Sequence, residues 1–544
     1  MFNKYSIKEN VIVWIIIAVF IFLTSFPYII GFLISGNEYF IGNNIVNLPD
    51  VNVYLSYIEQ VKAGKILLAN LFTSEAHVNV FFSPLWLATG LIAKILNLDS
   101  VLIFHLTRII AAILFAVFIF YYFLDLFFTK FFEKIISFIL ICFSSGLGIF
   151  FLPNIVDLIY NAHFPMFILP VDFLLAEANT FLSAAHSSLF IFSQLLIVIS
   201  FYIFLKNDFR ARNFIYILFI TLFLGFSHPY DVLVVLGVLL VYFLISLIFK
   251  NFKLIKNYKV FIGQYLLVIL GFFITSLYYY FIVRKEIALW GWFDQNITLS
   301  PTLLSYLISY SPLIVLIPIS LYLNIRKDYK NFNFLLIWVI TLFFLAYLPF
   351  QFQSRLFATC HIGLAILASY AIISFIKFLL KVPILRPIKI SVIAMLFLFL
   401  TITNFAFIFM VIFAYNTIDV YSYFPNSYYQ AALWLKHNSQ PEEVILAGGL
   451  NGNFLPAIAV RPVYLGHHHQ TINFPEKLSS INKWFFKDNK QDEQKKEFME
   501  KNNLKYIFFT SREKLLGDYN LETANYLERV YDNGEVKIYK LKEL

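Results

Sequence analysis

From Val11 to about Tyr415 the chain alternates between long apolar runs and short polar turns. An apolar run of ~20 residues crosses the hydrocarbon core of a bilayer as a helix. The runs at 11–35, 102–127, 134–152, 185–205, 213–227, 231–249, 259–283, 302–324, 333–349, 357–380 and 389–415 predict about eleven spanning helices. After Tyr421 such runs stop and charge density rises. In this tail a helical pattern over Tyr428–His437 and a charged amphipathic stretch over Glu493–Asn502 predict two helices. Short apolar runs at Val444–Ala447, Val463–Gly466 and Tyr506–Thr510 predict buried strands. Asp532-Asn533-Gly534 between Leu527–Tyr531 and Val536–Leu541 predicts a hairpin. The expected fold is therefore a polytopic α-helical membrane domain over 1–420 and a small α/β soluble domain over 421–544.

The first run, Val11 to Ser35, follows Lys4 and Lys8, is too long for a signal-peptide core and lacks a small-residue cleavage site. It reads as a retained first span. Six basic turns set the orientation: Lys4/Lys8, Lys130/Lys134, Lys206/Arg210/Arg212, Lys250/Lys253/Lys256/Lys259, Arg326/Lys327/Lys330 and Lys377/Lys381/Arg386/Lys389. Basic turns favour the cytoplasmic side. All six share that side only if Pro84–Leu98 does not cross, so that segment is expected as an interfacial helix in the first outer loop. The N-terminus is then cytoplasmic. Loop one (36–101), loop two (153–184), the shorter loops 284–301 and 350–356, the turn 228–231 and the tail (416–544) lie outside.

Composition agrees with this layout. Sixty per cent of the 544 residues are hydrophobic and 13% are charged, too little charge to cover a soluble surface of this length. The net charge of +9 sits largely in the cytoplasmic turns, which sets nucleic acid aside as a partner. Cys142 and Cys360 both lie in or beside apolar runs, so neither a disulfide framework nor a thiolate metal site is implied.

The polar residues that carry chemistry gather on the outer side. Asp50, after Pro49, stands at a helix start with Tyr54 and Tyr57 on nearby faces. It reads either as an N-cap or as a surface carboxylate available as a general base, its pKa raised by apolar walls. Glu75 and His77 suit a cation or a hydroxylated substrate, or are solvated loop residues. Loop two holds Asp157, His163, Asp172, Glu177, Asn179, Thr180 and His186. Glu177 directly precedes a span, where an acid costs free energy unless paired. His228 and Asp231 flank Pro229 between two spans, as a functional pair or as a turn. Arg355 is an outer-side arginine among apolar spans, suited to a phosphate or to snorkelling at the interface. His467-His468-His469 resembles a metal signal, but adjacent side chains on an extended strand point apart. Gly448-Gly449-Leu450-Asn451-Gly452 lacks the G-x-G-x-x-G spacing. The sequence has neither a Walker A motif nor an Asp-x-Asp pair, which argues against ATP as driver and against a soluble nucleotide-sugar donor.

The layout, with an early acid at Asp50 in a long outer loop after the first span, resembles the C-type, lipid-linked-sugar (GT-C) glycosyltransferases. Protein O-mannosyltransferases, oligosaccharyltransferases and aminoarabinose transferases belong to this superfamily. The residues that carry the resemblance are Asp50-Val-Asn-Val-Tyr54 through Gly64, Asn70 to Glu75, Phe82-Ser-Pro84 and Val463-Tyr464-Leu-Gly466-His467. The chain has a single acid at Asp50 where the best-known members have an adjacent acidic pair. The resemblance implies transfer of a sugar from a polyprenyl-phosphate donor to a glycan, lipid or protein acceptor at the outer membrane face; with no eukaryotic targeting or retention signal in the sequence, a bacterial-type plasma membrane is the expected setting. It implies Asp50 as general base, Arg355 with His228 on the phosphate, and Tyr54 and Glu177 orienting acceptor or sugar, or holding a divalent cation. Glu75, His77 and Asp231 complete the expected substrate-binding set. The competing classes are a transporter or flippase, which needs ionisable groups at the bilayer midplane, and a membrane scaffold whose outer domain binds a partner.

Overall fold

The computed structural model describes residues 4–44, 46, 48–152, 168–249, 255–417, 421–488 and 491–542. They form two compact units. The first comprises residues up to Ile30, His105–Ser276 and Thr298–Ile418; the second comprises Gly31–Phe104, Leu277–Ile297 and the tail from Asp419.

Among the described residues, eight helices are long and apolar enough to cross a membrane. A bent pair, Leu303–Ser309 with Ser311–Lys327, forms a ninth candidate, and Ala211–Ser227 and Phe332–Leu345 are shorter apolar helices. These eleven elements fall on the eleven predicted runs. Pro84–Leu96 is also a separate short apolar helix. Its 13 residues extend for only about 20 Å, less than the hydrocarbon thickness of ~30 Å.

In the first unit, Ser188–Lys206 and Gln353–Lys381 form the interior: 83% and 78% of their apolar windows are buried, against 22% for Tyr258–Lys285. The run expected as a span over 302–324 is a bent pair of helices, with 76° between Leu303–Ser309 and Ser311–Lys327. Pro312 explains the break, because proline restricts the residue before it and supplies no backbone donor. At the bend the backbone of Gly146 comes so close that a Cβ there would lie 1.4 Å from the Ser309 carbonyl oxygen. Arg108 is buried in the Ser100–Phe118 helix. It donates to the carbonyls of Ala184 (2.7 Å) and Thr24 (3.2 Å) and to Ser25 Oγ (3.1 Å), with its guanidinium 4.9 Å from the Tyr28 ring centroid. Carbonyl and hydroxyl acceptors replace the water that this charge gives up.

The second unit is assembled from distant parts of the chain. β1 (Tyr39–Phe40) pairs antiparallel with β2 (Tyr423–Phe424). In the tail, β3 (Val444–Leu446), β4 (Leu504–Phe509), β5 (Leu527–Asp532) and β6 (Lys537–Leu541) form one sheet in the order β3-β4-β6-β5. β3 and β4 are parallel; the other pairings are antiparallel. Gly534 takes φ 90° in the expected hairpin. The helices Asn426–Asn438 and Asp492–Lys501 lie where predicted. Leu446, Ile507, Phe486, Met499 and Tyr539 anchor the core. The expected strand over 463–466 forms isolated bridges instead: Val463 to Ile445, and Leu465 to Thr73 of loop one. The glycine-rich stretch is a packing device. A Cβ on Gly452 would lie 1.8 Å from the Leu465 carbonyl oxygen, so only glycine lets the two backbones meet.

Candidate functional site

Two groups of polar side chains stand out, one in each unit. In the second unit Asp50 begins the helix Asp50–Lys62, whose N-cap is Pro49. Asp50 is therefore the first helical residue and not the cap. Its carboxylate reaches His467, Nε2 to Oδ1 at 2.7 Å. His467 Nδ1 accepts the His469 N–H (3.1 Å), which leaves the imidazole proton on Nε2 to donate to Asp50. His467 is almost fully buried and the Asp50 side chain is 29% exposed, so a buried ring orients a partly exposed acid. Two N–H groups, of Gln470 and Thr471, donate to the His467 carbonyl and fold the turn that presents the ring. The three consecutive histidines thus yield a carboxylate partner. In the sequence His467 closes the segment Val463–His467 that carries the resemblance, but nothing there links it to Asp50.

Tyr54 packs face to face on Trp86, with ring centroids 4.7 Å apart, and on Phe104. Tyr57 is buried, within 3.4 Å of Gln470 Nε2. Glu75 is held by Thr73 Oγ1 and by Lys477 Nζ at 2.8 Å. His77 accepts the Asn70 N–H on Nε2 (3.0 Å), and its Nδ1 lies 2.8 Å from the Glu75 carbonyl, so both ring nitrogens serve the loop. Glu75 and His77 line a cleft of about 620 Å³, which Gln60 and Arg461 also border. Gln60 is ten residues along the helix from Asp50, roughly 15 Å at 1.5 Å per residue. The loop that carries Glu75 and His77 is itself bonded to the turn after His467, through Asn70 Nδ2 to the Gln470 carbonyl (2.8 Å) and Thr471 Oγ1 to the Phe72 carbonyl (2.6 Å).

In the first unit Glu177 lies in a short 3-10 turn, Ala176–Ala178, just before the helix Thr180–His186. Asn179 caps that helix by accepting from Phe181 N (2.8 Å) and Leu182 N (3.2 Å). Gln194 Nε2 holds the Glu177 carbonyl at 3.0 Å, and the Tyr310 hydroxyl donates to the Ala178 carbonyl at 2.5 Å. With its backbone fixed in this way, Glu177 forms an ion pair with Arg355. Burial raises the Glu177 pKa, but the charges of Arg355 and His228 outweigh it and hold the carboxyl below the usual range. Beside this pair, His228 Nδ1 lies 2.8 Å from Asp231 Oδ2 at the turn between the helices Ala211–Ser227 and Tyr230–Ile248. The structure thus brings Glu177, Arg355 and His228 into one electrostatic group, with Asp231 behind His228. Asp157 and His163 lie outside the described residues.

Two further buried groups support the Glu177 segment. His361 lies 2.9 Å from Ser144 Oγ and 2.9 Å from Thr180 Oγ1. Asp172 accepts the Gly146 N–H (2.8 Å), and burial pushes its carboxyl up to about 6. Arg108 and His361 sit inside apolar runs, where periodicity shows a span but not which polar side chain faces inward.

No protein-family model and no curated protein matches the sequence. Solved structures do match. The archaeal oligosaccharyltransferase AglB from Archaeoglobus fulgidus, in complex with an inhibitory peptide and a dolichol-phosphate, is 12% identical with a TM-score of 0.57. That match covers 99% of this chain and 75% of the other. ArnT from Cupriavidus metallidurans is 10% identical with a TM-score of 0.51, over 95% and 96% of the two chains. The arabinofuranosyltransferase AftD from Mycobacteria is 13% identical with a TM-score of 0.52, over 98% of this chain and 40% of that one. The A. fulgidus enzyme is also known in complex with Zn and sulfate. Among the described residues of this chain, no three His, Cys, Asp or Glu side chains converge to hold a metal. Asp50 and Glu177 each face a nitrogen donor instead, so the described residues do not fit a divalent-cation site. At these identities the likeness is one of architecture, and on it the chain has the polytopic membrane fold of the GT-C glycosyltransferases.

Proposed function

We propose that this protein is a membrane glycosyltransferase that moves a sugar from a polyprenyl-phosphate donor to an acceptor hydroxyl at the outer face of the plasma membrane. The observation that carries this reading is the fold match over nearly the whole chain to enzymes seen with dolichol-phosphate and, for ArnT, with undecaprenyl phosphate. In this reading the N-terminus is cytoplasmic and the tail extracytoplasmic.

The reaction is a single displacement. The acceptor oxygen bonds to the anomeric carbon, the bond from that carbon to the phosphate oxygen breaks, and polyprenyl phosphate leaves with the bonding electrons. Asp50 takes the acceptor proton. It suits this role because it is partly exposed and aimed by His467 Nε2–H. Arg355, with His228 nearby, is the group we assign to the donor phosphate, because a guanidinium matches phosphate oxygens in shape and charge. Glu177 holds Arg355 in place. A lipid-linked donor explains why such an enzyme is embedded in the membrane.

Asp50→Asn keeps the size and the hydrogen-bond acceptor but removes the base. With polyprenyl-phosphate sugar as donor, turnover is expected to fall by ~10²–10⁴-fold with donor binding intact. Wild-type turnover in the Asn variant would refute the assignment of the base. Donor binding unchanged by Arg355→Gln would refute the assignment of the phosphate site.

A further inference from the structure

The imidazole that aims Asp50 is itself set by a residue from the loop 284–301. That loop contains the helix Ile287–Gln295, which is fastened to its neighbours at start, middle and end. Glu286 Oε2, just before the helix, accepts the Val78 N–H of loop one (2.9 Å). In the middle, Gly291 packs so closely on the turn after His467 that a Cβ there would lie 3.0 Å from Ile472 Cγ1. At the end, Gln295 commits its whole side-chain amide to the same turn. Its Nε2 donates to the carbonyls of His469 (3.2 Å) and Thr471 (2.9 Å), and its Oε1 accepts the Asn473 N–H (3.0 Å). A primary amide carries two N–H donors on one side and a carbonyl oxygen on the other. Two carbonyls and one N–H therefore admit only one orientation of the Gln295 amide, and no other uncharged side chain of this length supplies that set. All of these residues belong to the second unit.

His469 is in this way held from both sides. Its carbonyl is bonded to Gln295, and its N–H donates to His467 Nδ1 (3.1 Å). That second bond keeps the ring proton on Nε2, where it reaches Asp50 Oδ1 at 2.7 Å. Without Gln295 the carbonyls of His469 and Thr471 lose this donor, and the turn no longer fixes the His469 N–H against the ring. The imidazole is then free to carry its proton on Nδ1. Nε2 would turn a lone pair toward the Asp50 carboxylate, and two acceptors cannot hold each other. A chain of hydrogen bonds thus runs from Gln295 through His469 and His467 to Asp50. We propose that Gln295 is a positioning residue, which fixes His469, selects the Nε2–H tautomer of His467 and so sets the aim of Asp50. That this aim serves sugar transfer rests on the glycosyltransferase reading; the selection of the tautomer does not.

The test uses the full chain with 15N-labelled histidine in phosphatidylcholine nanodiscs, at about pH 8, above the ordinary imidazole value of ~6.5. The His467 ring signals are those lost in His467→Gln. Gln295→Glu keeps the acceptor for Asn473 and removes both donors. Gln295→Met removes all three bonds and adds no charge, so it serves where the Glu variant does not fold. The wild-type ring is expected to be protonated on Nε2 alone, and each variant to show a second population protonated on Nδ1. The proposal is overturned if the wild-type ring carries its proton on Nδ1, or if both variants keep the wild-type His467 spectrum. With a polyprenyl-phosphate sugar as donor, Gln295→Met is expected to lower kcat about three- to tenfold at unchanged donor KM. Because it acts through His467, the Gln295→Met/His467→Ala double variant should be no slower than His467→Ala alone; losses that multiply overturn the positioning role. If the tautomer shifts while neither Gln295→Met nor Asp50→Asn slows transfer, the selection of the tautomer stands and the assignment of the base fails.

Discussion

The Glu177–Arg355 pair can be broken from either side, and its surroundings set the cost. The Glu177 side chain is 4% exposed and that of Arg355 21%, so neither partner alone recovers full hydration. Removing one member of a buried pair strands the other, at about 3–5 kcal/mol. Because Arg355 keeps some access to solvent, the lower end applies: about 3 kcal/mol for Glu177→Gln, roughly a hundredfold in the unfolding equilibrium. Arg355→Gln leaves the more deeply buried acid stranded and is expected to cost at least as much. The double variant strands neither charge, so it should be more stable than the sum of the singles by ~1.5 kcal/mol or more. Denaturant unfolding in micelles, followed by near-UV circular dichroism, measures all three. The native pKa of Glu177 is depressed, so its contribution is complete above the unfolded value of ~4.3 and is lost as pH falls through the lower native value. The coupling must therefore persist at pH 5. Additive single variants, or a coupling that vanishes between pH 7 and 5, would refute the reasoning.

Three other outcomes follow. Asp172 has its native pKa raised to about 6 by burial, so the native state holds its proton more tightly than the unfolded chain does. Stability should thus fall as pH rises from ~4 to 7 by up to ~3 kcal/mol, and Asp172→Asn should flatten that slope in a pH series of melting curves. His467→Ala removes the donor that aims Asp50; kcat is expected to fall about tenfold, and the Asp50→Asn/His467→Ala double variant to be no slower than Asp50→Asn alone. Gly146→Ala places a methyl group against the Ser309 carbonyl and should cost more than ~3 kcal/mol, visible as loss of folded protein in size-exclusion profiles, whereas Gly449→Ala meets no atom nearer than 3.9 Å.

The apolar runs made the membrane helices legible because lipid imposes one rule, that backbone polar groups be satisfied within the segment. The 302–324 run was legible as a span but its bend was not, because hydropathy does not register one. Arg355 and Glu177 were each visible as a charge in the wrong place for its neighbours; that they answer each other is a fact of three dimensions. Asp50 was visible for the same reason. Its partner lies 417 residues away in a run of identical residues, and no local pattern links the two. His361 and Arg108 show the limit from the other side. A polar residue in an apolar run is noticed only when the inward face of the helix is known.

The second unit is closed by links that skip most of the chain: Asn52 to Asn453 across 401 residues, and Asn70 to the Gln470 carbonyl across 400. A ribosome adds ~5–20 residues per second, so loop one waits roughly 20–80 s for the segments that complete it. During that interval Leu71 and Phe72, buried in the finished protein, have no tail to cover them, and the Leu71 carbonyl lacks the Val463 N–H that it later accepts. Biogenesis thus has a vulnerable window. Loop one must be shielded by the bilayer surface or a chaperone until the last fifth of the polypeptide emerges, and a chain stopped near residue 420 should be cleared by proteolysis, however well its helices insert.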